Sequence, residues 1–410
     1  MSPKRRQKGT GSLFQRADGT WVGVLELPTT DGTRKQKRVS SRNRNEAMKK
    51  LRELKASIDA GLDPGSGKVL LGKYLDDWLV KVHKYRVKPS TYPGDVRTAK
   101  NYIKPHIGGL RVDRLTPIQV RDMVEALRKE SPRRALKAYQ LLGSALEQAV
   151  KDGLVSRNVV GAVDKPKYKA KVHEAFTPDV SLHIIRTAET YCDEMWAARW
   201  AAGFMTGLRE SELLGLEWDR VDLHNNLLDV SWQLQSLQKA HGCGEPVAGK
   251  YPCGRVRMSF CPQAHWDFND DLDYRECERS LVWTKPKSQR SDRGVPIIPP
   301  LRVILERLQA SPRPNPHDLV FRHGDGEPFT QSQDQKAWKA LLIKAEVEHA
   351  PQHTLRRTAA TLLRAAQVDE QTRMELFGHA SVDVQRIYAG PALELQRAAM
   401  DKLTDVFGPQ

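Results

Sequence analysis

Six side chains in the second half of this 410-residue chain are of types that could act together on a phosphodiester. They are Arg209 in TGLRESELLGLEW, Lys285 or Lys287 in LVWTKPKSQRSDRGVPII, His353 and Arg356 in HTLRRTAATLLRAA, and His379 and Tyr388 in FGHASVDVQRIYAG. Two guanidiniums suit a pair of non-bridging phosphate oxygens, because the planar fork grips them bidentately. A phenol is a weak nucleophile at its free pKa near 10 and needs a base and a positive environment. A lysine can give a proton to a leaving alkoxide. The chain has no HExxH, Walker loop, GxSxG or paired-carboxylate motif. The set therefore points to metal-free phosphoryl transfer through a covalent phosphotyrosine, with charge stabilisation as the main catalytic effect. Taken singly the signals are weak. A helical Arg–Glu pair is usually structural, and a lone hairpin lysine is usually just exposed.

The elements that must position these groups can be read from periodicity. Arg209 and Glu212 fall i,i+3 on one helix face, and so do His353 and Arg356. LVWTKPKSQRSDRGVPII reads as strand, turn and strand, with Lys285 and Lys287 near the hairpin. Gly378-His379 sits at a helix boundary, nine residues before Tyr388. Upstream, residues 11–39 read as short strands with turns at Asp18-Gly19 and Asp31-Gly32, followed by a helix from about 45 to 60 closed by Gly61. Residues 61–68 read as a linker, 69–155 as all-helical, and 156–176 as a second, basic linker. Thr116-Pro117 opens a helix as N-cap and first-turn proline. Strands concentrate at 221–300 and helices return to the end. Trp78, Trp196 and Trp218 occupy apolar helical positions and read as core. The expected fold is multidomain and mainly α: a small β-sheet-plus-helix module (1–62), an all-α domain (69–160) and an α+β catalytic domain (173–410).

Charge separates these parts. Lys and Arg number 66 against 50 Asp and Glu, for a net +16. Residues 1–172 hold 38 basic and 17 acidic side chains, whereas 173–410 hold 28 and 33. A basic half of this size attracts a polyanion, and nucleic acid is the first candidate. No run of about 20 apolar residues suggests a membrane span. The basic start lacks an apolar signal region, and five cysteines in such a length do not make a disulfide scaffold. The cysteine usage points to a reduced, cytoplasmic setting.

With these motifs in order, the chain resembles the tyrosine recombinases of the phage-integrase type. The resemblance implies that Arg209 and Arg356 clamp the scissile phosphate and that Lys287 is the general acid for the 5′-hydroxyl, with Lys285 as the alternative. It implies that His353 accepts a proton near the phenol, that His379 hydrogen-bonds the phosphate, and that Tyr388 attacks to leave a 3′-phosphotyrosine. Ser288 stands where Thr is usual, Phe377 where Leu is usual, and Arg357 where His is common. Residues 69–165, including QAVKDGLVSRNVV, resemble the family's core-binding domain. GSLFQRADGTWVGVLEL resembles its three-stranded arm-binding domain, which sets the chain with integrases rather than Xer-type resolvases. The implied partners are double-stranded DNA at core and arm sites and a homotetramer on DNA, with a host bending protein and a directionality factor as candidates. No ATP is required. The terminal helix 391–407 either docks on a neighbouring protomer or caps its own domain. Two rivals stand beside this reading: a topoisomerase-like enzyme with the same chemistry, and a DNA-binding regulator that keeps the fold.

An insertion at about 241–280 exceeds the common pattern. It holds Cys243, Cys253, Cys261 and Cys277, accompanied by His241 and His265. It is too polar to build a core, so a structural zinc is one reading and a loose loop with free thiols the other. His241 or His265 could replace one cysteine, and Cys277 is the furthest in sequence.

Overall fold

The computed structural model describes residues 11–26, 36–59, 69–268, 272–285, 293–378 and 390–408. The chain divides into two units, Met1–Ala170 and Lys171–Gln410. The first begins with a three-stranded antiparallel sheet of β1 (Ser12–Gln15), β2 (Trp21–Glu26) and β3 (Gln36–Ser41), with β2 in the centre. Gly19, at φ +81°, turns β1 into β2, as Asp18-Gly19 predicts. The Asp31-Gly32 turn and Gly61 lie outside the described residues. Helix α1 (Arg44–Asp59) covers the sheet, and Val22, Leu25, Ala47 and Leu51 are buried between them.

The rest of the first unit is helical: α2 (Leu71–Lys81), α3 (Tyr92–Thr98), α4 (Lys104–Ile107), α5 (Pro117–Glu130) and α6 (Pro132–Lys151). Thr116 and Gln119 form a capping box at the start of α5, with Pro117 in the first turn. In α6 the apolar stripe Ala135, Ala138, Leu142, Ala145, Leu146 and Ala149 is buried against α5. Trp78 is core, as its spacing predicts. The stretch read as a second linker is only partly one. Val160 and Val163 are buried in this bundle, and the Asn158 side-chain amide donates to the Gly143 carbonyl at 2.9 Å.

The second unit is built around α8 (Glu194–Thr206), flanked by α7 (Pro178–Tyr191) and followed by α9 (Glu210–Leu214). The sequence EMWAARWAAGFMT is apolar on every face, so α8 is buried from Met195 to Thr206 apart from Trp196. Trp196 stacks on Phe329 with ring centroids 3.7 Å apart. The strand-rich interval contains β4 (Val221–Asp222), β5 (Leu227–Asp229), β6 (Gln233–Ser236), β7 (Lys239–Ala240), β8 (His265–Trp266), β9 (Tyr274–Glu276), β10 (Leu281–Thr284) and β11 (Gly294–Pro296). They form sheets of order β6-β10-β9 and β11-β5-β4, and a β7-β8 ribbon. The expected hairpin around Lys287 takes a different form: β10 and β11 exist but belong to different sheets. Both edges of β10 are already filled, by β6 and β9, so β11 pairs with β5.

Helices α10 (Pro299–Gln309), α11 (Gln331–Lys344), α12 (His353–Ala365), α13 (Glu370–Phe377) and α14 (Gly390–Phe407) complete the unit. Of the two readings of the terminal helix, the structure shows the second. Ala399, Met400, Leu403 and Phe407 of α14 are buried in the core of their own unit. Among the described residues, no helix is long and apolar enough to cross a membrane.

Candidate active site

The site begins at the end of α8. Gly207 closes that helix in the left-handed region, at φ +61°, and a Cβ there would collide with the Phe377 ring. The turn delivers Arg209 to the N-cap of α9, so Arg209 precedes the helix rather than lying on its face. The expected pairing with Glu212 forms nonetheless. The Arg209 backbone N–H donates to Glu212 Oε2 at 2.8 Å and its Nη1 to Oε1 at 2.6 Å. Glu212 is almost fully buried, while the Arg209 side chain is 36% exposed and can reach a ligand. Behind α9, the Trp283 indole on β10 donates to the Gly215 carbonyl at 3.0 Å, and the Ser211 hydroxyl donates to Gln233 on β6 at 3.1 Å. The sheet carrying β10 is thereby fixed to the helix carrying Glu212.

Helix α12 opens with His353, whose side chain is exposed, and one turn later buries Arg356. Arg356 Nη1 donates to the Gly207 carbonyl at 3.0 Å, and Nη2 donates to the Phe377 carbonyl. A third arginine, which the sequence reading did not single out, completes the arrangement. Buried Arg293 donates through Nη2 to Glu212 Oε2 at 3.0 Å and through Nε to the Leu376 carbonyl at 2.8 Å. Arg209 Nη2 reaches the Gly378 carbonyl at 3.4 Å. Three guanidiniums thus meet three consecutive carbonyls at the C-terminus of α13, the negative end of that helix and the step before His379. Gly378 ends the helix at φ +57°.

The electrostatics follow from this count. Arg209, Arg293 and Arg356 surround one carboxylate. Burial raises the Glu212 pKa, but Arg293, the Arg209 N–H and the Arg209 charge outweigh it and bring it down to about 2. Burial, then Arg209 and Arg293, disfavour the charge on Arg356, which Glu212 only partly offsets. A guanidinium keeps its proton even so. Desolvation by the groups packed beside it, followed by the charges of Arg356, Arg357 and Arg209, lowers the His353 pKa, which favours the neutral imidazole that can accept a proton. Among the described residues, three guanidiniums face one carboxylate, and an anion bound between Arg209 and Arg356 would offset the excess positive charge.

The phage integrase family model matches residues 270–394, and the family's N-terminal SAM-like domain matches 70–128. Over these two stretches the chain is similar to the phage integrase family. An integrase of Saccharopolyspora erythraea is 24% identical over 98% of both chains, and one from Streptomyces ambofaciens is 23% identical over 97% of both. Among solved structures, the Tn1549 transposon integrase in complex with a circular intermediate DNA aligns with a TM-score of 0.58 at 16% identity, over 82% of this chain and 99% of that one. A lambda integrase dimer bound to a COC′ core site aligns at 0.54 and 15% identity, over 96% of both. At these identities the structures show the fold.

Of the six residues singled out in the sequence, the structure brings together Arg209, His353 and Arg356. Lys287, His379 and Tyr388 lie outside the described residues, as does Ser288. Lys285, the alternative acid, follows β10 and forms an ion pair with Asp273 at 2.8 Å. Arg357, at the unusual position, donates to the His173 carbonyl at 2.5 Å and ties the entry segment of the unit to α12.

The insertion departs from expectation in its ligand set. His241, Cys243, Cys253 and Cys261 gather, with one ligand atom from each lying within 4.8 Å of all the others. Cys277 is not among them. It follows β9, and its backbone N–H donates to the Leu281 carbonyl at 3.0 Å, so the sheet carries it away from the loop. Burial, with Glu278, Glu217 and Glu327 nearby, pushes its thiol up to about 12. His265 is exposed on β8. The signal for Arg293 lay in SDRGVPII, but a lone arginine at a strand start carries no pattern of its own.

Proposed function

We propose that the protein is a site-specific DNA recombinase, an integrase that cleaves and rejoins double-stranded DNA through a 3′-phosphotyrosine on Tyr388. The observation that carries this reading is that Arg209 and Arg356 reach adjacent carbonyls at the end of α13, with His353 one turn before Arg356 on α12. Arg209 and Arg356 hold the non-bridging oxygens and stabilise the charge of the pentavalent phosphate. The Tyr388 oxygen attacks phosphorus, and its proton passes to His353. As the new P–O bond forms, the bond to the 5′-oxygen breaks, and Lys287 gives that oxygen a proton. His379 donates to the phosphate. Rejoining reverses these transfers with a new 5′-hydroxyl, and the phosphotyrosine conserves the bond energy, so no ATP enters. No step passes through a metal, and a zinc in the insertion would be structural.

In this reading the basic module 1–62 binds arm sites and residues 69–160 grip the core site. Residues 173–410 do the chemistry, in a homotetramer on two duplexes. A host bending protein and a directionality factor would act through the DNA complex, at the nucleoid of a bacterial cytoplasm. The test is covalent trapping on nicked suicide substrates drawn from the flanking DNA of the element. The wild type should form a protein–DNA adduct. Tyr388→Phe should form none while binding DNA nearly as well, because affinity comes from phosphate contacts spread over the basic half. Wild-type cleavage by that variant would assign the nucleophile elsewhere. Binding without any adduct from the wild type would favour a regulator, and relaxation of supercoils without strand exchange would favour a topoisomerase-like enzyme.

A further inference from the structure

We propose that the insertion is a zinc knuckle, with one Zn²⁺ held by His241 Nδ1 and the thiolates of Cys243, Cys253 and Cys261. The four groups come from three separate turns of a segment with almost no core. Among the described residues 241–268, Cys261 is the only buried apolar side chain, whereas Val247 and Val256 are 78% and 92% exposed. Something other than apolar burial must bring these turns together.

The geometry is that of a tetrahedral site. Zn–S bonds of about 2.3 Å and a Zn–N bond of about 2.0 Å at tetrahedral angles separate two sulfurs by about 3.8 Å, and a sulfur from the nitrogen by about 3.5 Å. Here His241 Nδ1 lies 3.8 Å from Cys243 Sγ and 3.5 Å from Cys253 Sγ. The His241 ring is stacked on Tyr251, with centroids 3.6 Å apart and planes at 11°, so Nδ1 is held toward the thiols. The backbone is shaped to match. A Cβ on Gly242 would run into the Gln263 carbonyl oxygen, so only glycine lets the His241–Cys243 turn approach the Cys261 turn. Gly254, directly after Cys253, sits at φ +67°. All three cysteines are free thiols. Three thiolates and an imidazole form a soft donor set, and four protein ligands leave no open position, which marks a structural site rather than a catalytic one.

The site stands apart from the phosphate-binding arginines, and the inference is independent of the recombinase reading. Its test uses the full chain, purified under reducing conditions without chelator. Elemental analysis should find about one zinc per chain. Cobalt(II) exchanged into the protein should give the intense visible absorption of a tetrahedral thiolate site. Cys253→Ser and Cys261→Ser should lose the zinc and that spectrum, whereas Cys277→Ser should keep both. Chelation should open 241–268 to protease while the 293–378 region stays protected. Three results would overturn the proposal: a reduced wild type that takes up neither zinc nor cobalt, loss of the cobalt spectrum in Cys277→Ser, or a disulfide among Cys243, Cys253 and Cys261 in place of metal. The wild-type cobalt spectrum decides the matter even if the serine variants fail to fold.

Discussion

Among the described residues, Glu212 is the one carboxylate at the centre of the arginine cluster, and its titration should be visible in the stability of the protein. Its pKa falls from an ordinary value of 4.5 to about 2 on folding. A carboxylate depressed in this way stabilises the folded state above the unfolded pKa, and that stabilisation is lost as pH drops toward the folded pKa. A shift of this size corresponds to about 3 kcal/mol. Urea unfolding at pH 6 and pH 3 should show the catalytic unit losing a large part of that amount. In Glu212→Gln the loss between these two pH values should be smaller, because one titrating group is gone. An identical loss in both proteins would mean that Glu212 is not held as its contacts imply. The same residue explains what the sequence could and could not show. TGLRESE displays the Arg209–Glu212 pair by spacing alone. The second partner, Arg293, is 81 positions away from Glu212, and only the sheet carrying β11 brings it back.

At the scale of elements, the site depends on a contact between a turn and a ring. Gly207 must take φ +61°, and the space where a Cβ would stand is filled by Phe377 at the end of α13. Gly207→Ala should therefore destabilise the unit by more than the roughly 1–2 kcal/mol that the left-handed region costs an L-residue. It should also impair cleavage, since Gly207 and Phe377 both accept from Arg356. Phe377→Leu, which shortens the obstructing ring, should recover part of the loss. A double-mutant cycle in thermal melts measures the coupling, and strict additivity would show that the two residues do not meet. Helix and strand periodicity made most elements legible, because binary patterning reports which face is buried. Pairing was less legible. The sequence around Lys287 reads as a hairpin because β10 and β11 are adjacent in the chain. The occupied edges of β10 decide otherwise, and nothing in the local pattern of LVWT names those occupants. The Cys/His cluster of the insertion was legible in part: the sequence marks His241 as a replacement ligand and Cys277 as the furthest cysteine, but nothing in the spacing shows that β9 draws Cys277 into the sheet while His241 turns toward the thiols.

At the scale of the whole molecule, the net positive charge lies in the first 172 residues and the arginine cluster of the candidate site in the rest. The sheet-and-helix module has its own small core of Val22, Leu25, Ala47 and Leu51, and among the described residues the buried core of the bundle runs from Leu71 to Val163. Deleting residues 1–62 should therefore leave the bundle and catalytic unit folded. Covalent trapping on a short core site should persist, and binding to distal sites and integration should fall steeply. Gel-shift and integration assays on the full-length and shortened proteins check this, and undiminished integration would reduce the module to a solubility tail. The insertion carries a different consequence. Ala240 and His265 face each other across β7 and β8, so the 24 residues between them leave and re-enter the fold at one point. Doubling such an excursion adds only about 0.6 kcal/mol of closure entropy. The ladder between those strands is therefore indifferent to cargo length, and the knuckle is a natural port where a fluorescent reporter could replace it.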